Sequence, residues 1–146
     1  MIDPRQAMAI LASADLIHTA DTVEAAVRRV ACEISERLRD RNPVLLCVLK
    51  GGLPFAGHLL TQLTFPLDFD YLHVSRYGQA KSGGELSWRI EPEIALSGRT
   101  VLVLDDILDE GLTLAAIRDR LLTLGAAACY TAVAADKLIG RTKPIQ

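Results

Sequence analysis

The 146-residue sequence is poor in cysteine, histidine and aromatic side chains, and positive charge does not dominate it. Its three cysteines, Cys32, Cys47 and Cys129, stand among alanines and branched aliphatics. Their spacings suit neither a zinc site nor a redox pair, so they read as small buried hydrophobes in a reducing compartment. His18, His58 and His73 are isolated from one another and from the cysteines. That gives a histidine metal cluster or nucleophile–base pair little support and leaves structural histidines as the expectation. With 16 Lys and Arg against 18 Asp and Glu, a formal net charge of −2, nothing favours nucleic acid as the main partner. Apolar runs such as Val44-Leu45-Leu46-Cys47-Val48-Leu49 fall far short of the roughly 20 residues that span a bilayer, so no membrane partner is expected. The opening Met1-Ile2-Asp3-Pro4-Arg5 puts an acid and a proline where a secretory leader needs basic residues and then an apolar run. A cytoplasmic protein is the expectation.

Half of the residues are hydrophobic, enough for one core and one domain at this length. Over residues 21–40 the apolar Val23, Val27, Val30, Ile34 and Leu38 recur at helical intervals, with Asp21 or Thr22 available as cap. Asn42-Pro43 breaks that helix, and the apolar run from Val44 to Leu49 has strand length and no polar alternation. Such a strand is covered on both faces, as in a parallel sheet between helices. Lys50-Gly51-Gly52 turns the chain, and helical spacing returns over residues 55–63. Further strands are expected at 69–74, 86–90, 101–104 and 130–135, with a helix at 114–124 that stops at Gly125. Residues 75–85 are polar and contain glycine, which suggests a mobile hairpin. The alternation predicts an α/β fold with a mostly parallel central sheet flanked by helices, its ligands at the C-terminal ends of the strands.

The most informative stretch is Val101-Leu102-Val103-Leu104-Asp105-Asp106-Ile107-Leu108-Asp109-Glu110-Gly111-Leu112-Thr113-Leu114. Its aspartates could serve only as turn formers and a helix cap. Adjacent residues near a strand end point to opposite sides, however, so one of Asp105 and Asp106 must face an interior or ligand-lined space. There it needs hydroxyl or metal partners to stay ionised. Downstream, consecutive N–H groups precede a helix, with Gly111 permitting a tight curve and Thr113 adding a hydroxyl, a geometry able to cradle phosphate. Acids beside a phosphate cradle describe a phosphorylated sugar.

This stretch resembles the phosphoribosyl-pyrophosphate signature of phosphoribosyltransferases. The likeness extends to Leu49-Lys50-Gly51, similar to the family's pyrophosphate loop, to Ser75-Arg76-Tyr77-Gly78, similar to its mobile catalytic loop, and to Asp136-Lys137, similar to its purine-contacting lysine. Order and spacing match the hypoxanthine–guanine group over about residues 15–146. The resemblance implies a Rossmann-related fold and a purine-salvage transferase that joins phosphoribosyl pyrophosphate to a 6-oxopurine with Mg²⁺. Asp105 and Asp106 would bind the ribose hydroxyls, directly or through the metal. The stretch Ile107, Leu108, Asp109, Glu110, Gly111, Leu112 and Thr113 would bind substrate, with the 5-phosphate held from Asp109 onward. Asp109 would take the proton from purine N7, and Lys137 would donate to the 6-oxo group. The turn at Leu49, Lys50 and Gly51 would hold pyrophosphate, with a non-proline cis bond between Leu49 and Lys50. Arg76 and the catalytic Tyr77 belong to the lid, and a homo-oligomer, dimer or tetramer, is implied.

Two departures and two rivals accompany the likeness. Glu110 stands where relatives carry Thr or Ser, and its side chain is expected to point outward while its N–H serves the cradle. Arg76 stands where relatives often carry Ser. The chain closes at Lys143-Pro144-Ile145-Gln146, where relatives continue with a base-stacking aromatic and a metal-binding aspartate, so an absent C-terminal purine-binding segment is expected. One rival is a non-catalytic module that senses phosphoribosyl pyrophosphate; it would want a basic surface, which the composition lacks. The other is a receiver-type signalling domain, for which the glycine–threonine cradle has no purpose.

Overall fold

The computed structural model describes residues 2–76 and 86–145. Helices Pro4–Ser13 (α1) and Ala20–Leu38 (α2) lead into strand Val44–Val48 (β1), helix Leu53–Leu60 (α3) and strands Asp68–Arg76 (β2), Leu86–Ile90 (β3) and Thr100–Leu108 (β4). Helix Leu112–Thr123 (α4) and strand Ala128–Asp136 (β5) follow. The five strands form one sheet in the order β3-β2-β1-β4-β5. β1 runs parallel to β2 and β4, and β4 parallel to β5, while β3 alone is antiparallel. This is the predicted α/β architecture.

Alternating side chains of the central strands supply two cores. Val44, Leu46 and Val48 of β1 join Val101 and Val103 of β4 under Leu114, Ile117 and Leu121 of α4. Leu45 and Cys47, with Leu102 and Leu104, face Val27, Ala31, Ile34 and Leu38 of α2 and Phe55 and Leu59 of α3. Burial on both faces is what the unbroken apolar runs require. No described helix is long and apolar enough to cross a membrane.

Several expectations need correction. β4 continues through the aspartates to Leu108, because its backbone keeps pairing with β5 at Asp105–Val133, Ile107–Ala135 and Leu108–Asp136. The partner strand, not the apolar run, sets where β4 ends. α2 is capped by Thr19, whose hydroxyl accepts from the Thr22 N–H at 3.3 Å, rather than by Asp21 or Thr22. Val23, one turn into α2, is 49% exposed rather than part of the core. α1 was not foreseen, although Asp3-Pro4 followed by Gln6 forms a capping box around its start. Cys32 is exposed rather than buried, and all three thiols are free. His18 and His58 are exposed as well, because each lies on the outer surface near the start of α2 and along α3. Apart from Arg76 at the end of β2, the expected lid at residues 76–85, with Tyr77, lies outside the described residues.

The turn after β1 is the tightest joint. A Cβ on Gly52 would stand 2.8 Å from the Leu104 carbonyl oxygen and 2.9 Å from that of Val48, both backbone atoms that cannot swing aside. A Cβ on Gly57, inside α3, meets nothing within 4 Å. We therefore expect Gly52→Ala to destabilise by about 1–3 kcal/mol, and Gly57→Ala to be neutral or to stabilise by about 0.5–1 kcal/mol. Urea unfolding of the two variants checks the contrast; equal effects would mean that the turn has room to spare.

Candidate active site

Three chain segments converge at the C-terminal ends of the strands: the turn after β1, the stretch from the end of β4 into α4, and the end of β5. Leu49 is anchored by its N–H to the Leu72 carbonyl at 2.8 Å, and the following peptide bond to Lys50 is cis, as the resemblance implied. Lys50 and Gly51 are exposed in that turn. The Asp106 carboxylate lies directly against Gly51, where any Cβ would collide with it. Glycine at this position lets an acid of β4 and the backbone after β1 share one small space.

Asp105 is partly buried, and burial pushes its carboxyl from 3.8 to about 6, with the neighbouring Asp106 charge adding to the rise against a lowering hydrogen bond from the Asp106 N–H. Among the described residues neither Asp105 nor Asp106 lies within ion-pair distance of a basic side chain. Every other acid near the site has such a partner. An adjacent carboxylate pair that lacks a cation suits a hard divalent ion or sugar hydroxyls. No group of three or more His, Cys, Asp and Glu among the described residues could hold a metal ion.

Beyond the acids, Gly111 adopts φ +80° and forms the N-cap of α4 without a side-chain cap. A Cβ there would meet Ile145 and Pro144 at 3.2 and 3.3 Å, so the left-handed turn and its packing both call for glycine. The helix N-terminus thus opens onto a cavity of about 280 Å³ lined by Asp105, Asp106, Asp109, Glu110, Gly111 and Thr113, with Ile107 and Leu108 in its wall. Ile107 and Leu112 are exposed, whereas the Leu108 side chain belongs to the core.

The end of β5 completes the site. Lys137 Nζ stands 3.0 Å from Asp109 Oδ1, and the Lys137 N–H donates to the Leu108 carbonyl at 3.1 Å. Asp109 and Lys137, which the resemblance assigns to the proton transfer and the purine contact, are 28 residues apart in sequence and adjacent here. An open cavity of about 880 Å³ lies beside them, lined by Asp136, Lys137, Leu138, Ile139 and Arg141. The Glu110 side chain, expected to point outward, is 37% exposed, and its carboxylate is held by the Arg141 guanidinium. Arg141 and Lys143 were not singled out from the sequence, where they are only two cations after Lys137. Another cavity, of about 590 Å³ beside Arg37, Arg118 and Tyr130, contains none of the residues that the resemblance assigns to substrate. Burial pushes the Cys47 thiol up to about 11, with Asp105 adding to the rise, so Cys47 offers no thiolate nucleophile beside the acids.

A parallel sheet with an acid pair at one strand's C-terminal end and an anion cradle at the next helix defines a sugar-phosphate-binding α/β protein. Residues 13–146 match the phosphoribosyl transferase domain, and the chain belongs to that family. It is 35% identical to the hypoxanthine-guanine-xanthine phosphoribosyltransferase of Tritrichomonas foetus over 86% of this chain and 69% of that one. It is 30% identical to the hypoxanthine-guanine phosphoribosyltransferase of Streptococcus pneumoniae over 86% and 71% of the two chains. A solved hypoxanthine-guanine-xanthine phosphoribosyltransferase superposes with a TM-score of 0.79 at 31% identity, over 90% of this chain and 77% of that one.

The Asp105 environment yields a signed pH effect. Its folded pKa of about 6 lies above the ordinary 3.8, so its contribution to stability is present below the lower value and lost as pH rises through the higher one. In ligand-free, chelator-treated protein, Asp105→Asn is expected to raise the thermal midpoint by about 3 °C at pH 8 and to leave it unchanged near pH 4. A lowered midpoint at pH 8 would mean that the ionised carboxylate is stabilised in place.

Proposed function

We propose that the chain is a cytoplasmic purine-salvage phosphoribosyltransferase of the hypoxanthine–guanine type, which converts hypoxanthine or guanine and phosphoribosyl pyrophosphate to IMP or GMP and pyrophosphate. The observation that carries this reading is the convergence of acid pair, phosphate cradle and the Asp109–Lys137 pair on one strand-end cluster. Purine N7 and the 6-oxo group lie on the same edge of the ring. A proton acceptor 3.0 Å from a donor ammonium presents the complement of that edge. Both side chains are more than half exposed, so the pair opens at little cost when the base enters.

In the proposed reaction, amides of residues 109–113 and the Thr113 hydroxyl hold the 5-phosphate at the start of α4. Asp105 and Asp106 hold the ribose hydroxyls and a Mg²⁺ ion. When bound, Mg²⁺ supplies positive charge for the departing pyrophosphate. The backbone of Leu49, Lys50 and Gly51 receives the pyrophosphate. Purine N9 forms the bond to the anomeric carbon as the bond from that carbon to the pyrophosphate oxygen breaks. Asp109 accepts the N7 proton, and Lys137 donates to the 6-oxo group. The transition state has oxocarbenium character, so carboxylates near the sugar stabilise it, and water must be kept out. Arg76 and Tyr77 are assigned to that exclusion. Self-association into a homo-oligomer is part of the proposal, supported by the exposed Met8, Ile10, Leu11, Leu16 and Ile17 in and after α1.

Pyrophosphate release measured with Mg²⁺ and phosphoribosyl pyrophosphate, with and without hypoxanthine or guanine, tests the reading. Release that depends on the base is expected; release indifferent to the base, or none, refutes it. Asp109→Asn is expected to cut turnover about 10²- to 10⁴-fold and leave phosphoribosyl-pyrophosphate binding largely intact, because the amide keeps the backbone cradle and loses only the proton acceptor. Unchanged turnover would remove Asp109 from the mechanism.

A further inference from the structure

Lys143 is charged, yet only about one-tenth of its side chain is exposed. Its ammonium reaches three oxygens: the Leu108 carbonyl at 2.6 Å, the Lys137 carbonyl at 2.6 Å and the Asp136 carboxylate. An ammonium has three donors, so each is matched. The three acceptors occupy particular places. Leu108 is the last residue of β4 and the one before Asp109; Asp136 is the last residue of β5; Lys137 is the residue assigned to the base. The Leu108 carbonyl accepts a second bond, from the Lys137 N–H at 3.1 Å. Residues 137–143 therefore fold back as a loop whose far end is fastened to its own beginning and to the strand that carries the cradle.

We propose that Lys143 is a positioning residue of this site: by fastening the Asp136–Lys137 backbone to the end of β4, it sets where the Lys137 ammonium stands relative to Asp109. The inference rests on the reading of Lys137 as the base-contacting residue. Neither atom assigned to the base belongs to Lys143, and none of residues 109–113, assigned to the 5-phosphate, accepts from its ammonium. Its loss should therefore fall on the base and spare the phosphorylated sugar. A methionine of similar length fills the space and removes all three donors, leaving the Leu108 carbonyl with the Lys137 N–H alone and freeing the Lys137 carbonyl and the Asp136 carboxylate from the ammonium that joins them. Arginine keeps the charge, but its planar fork cannot point at three oxygens around one atom, so it restores the arrangement only in part.

The test measures initial rates for the wild type, Lys143→Met, Lys143→Arg and the double variant Lys137→Met with Lys143→Met, well below each variant's melting temperature. Lys143→Met is expected to raise KM for hypoxanthine or guanine about tenfold, with KM for phosphoribosyl pyrophosphate changed less than about twofold. Lys143→Arg should fall between the two, and it carries the test alone if the methionine variant does not fold. The double variant should bind base no more weakly than Lys137→Met does, because both changes remove the same contact. A readout independent of turnover is tryptic cleavage after Lys137 and Arg141 in ligand-free protein, expected to be about tenfold faster in Lys143→Met. Equal changes in both KM values, an unaltered base KM, additive losses in the double variant, or unchanged cleavage would overturn the role of Lys143. A wild type without base-dependent turnover would instead refute the functional reading, and the positioning role toward the base would fall with it.

Discussion

The parallel pairing of β4 with β5 runs from Thr100 opposite Ala128 to Leu108 opposite Asp136, four residues past the last aliphatic of the β4 apolar run, and the site is built on that extension. Backbone hydrogen bonds carry Asp105 and Asp106 on a strand rather than a loop, which fixes their spacing against the glycine turn after β1. The same ladder delivers Asp136 and Lys137 to the place where β4 hands over to the cradle. Rigid elements thus position both halves of the site. The core makes this affordable: Val101 to Leu104 are essentially inaccessible on both faces, so the strand is anchored well before its polar end begins.

Charge is distributed around that strand end with a clear division. Asp109, Glu110 and Asp136 are each met by a cation of the segment that follows β5, respectively Lys137, Arg141 and Lys143. Glu110, an unusual acid beside a phosphate cradle, is thereby neutralised in place. The pairs differ in burial, and with it in strength: Lys137 and Asp109 are more than half exposed and can part, whereas Lys143 is enclosed and saturated. Asp105 and Asp106 have no such partner among the described residues, and burial, with the neighbouring Asp106 charge adding to it, raises the Asp105 pKa to about 6. The part of the site that lacks a cation is the part where a metal ion or ribose hydroxyls would bind.

Much of this could be read in the sequence because apolar runs and glycines are local signals. The buried strands, the glycine turn after β1, the stop at Gly125 and the acid–cradle stretch all declare themselves over fewer than fifteen residues. Asp109 and Lys137 were named separately, but only the fold makes them neighbours. The extension of β4 was hidden because pairing depends on the partner strand and not on hydrophobicity. Thr19 lost to Asp21 and Thr22 as the expected cap because several residues in a row could serve, and the choice is made by where the helix begins. Arg141 and Lys143 carry no local signature. Their importance comes from acceptors on β4 and on the cradle, more than 25 residues away in the chain, and a lone lysine near a proline reads as solvent-facing.

The central claim is that the amides at the start of α4, with the acids at the end of β4, hold a phosphorylated ribose. The most direct measurement is titration of ribose 5-phosphate, with Mg²⁺, into ¹⁵N-labelled protein, followed by amide chemical shifts. The account predicts saturable shifts concentrated at residues 105–113, with those of Asp109, Glu110 and Gly111 among the largest and with little change around Arg37, Arg118 and Tyr130 at the other cavity. Shifts centred on that other cavity, or none at residues 109–113, would contradict it.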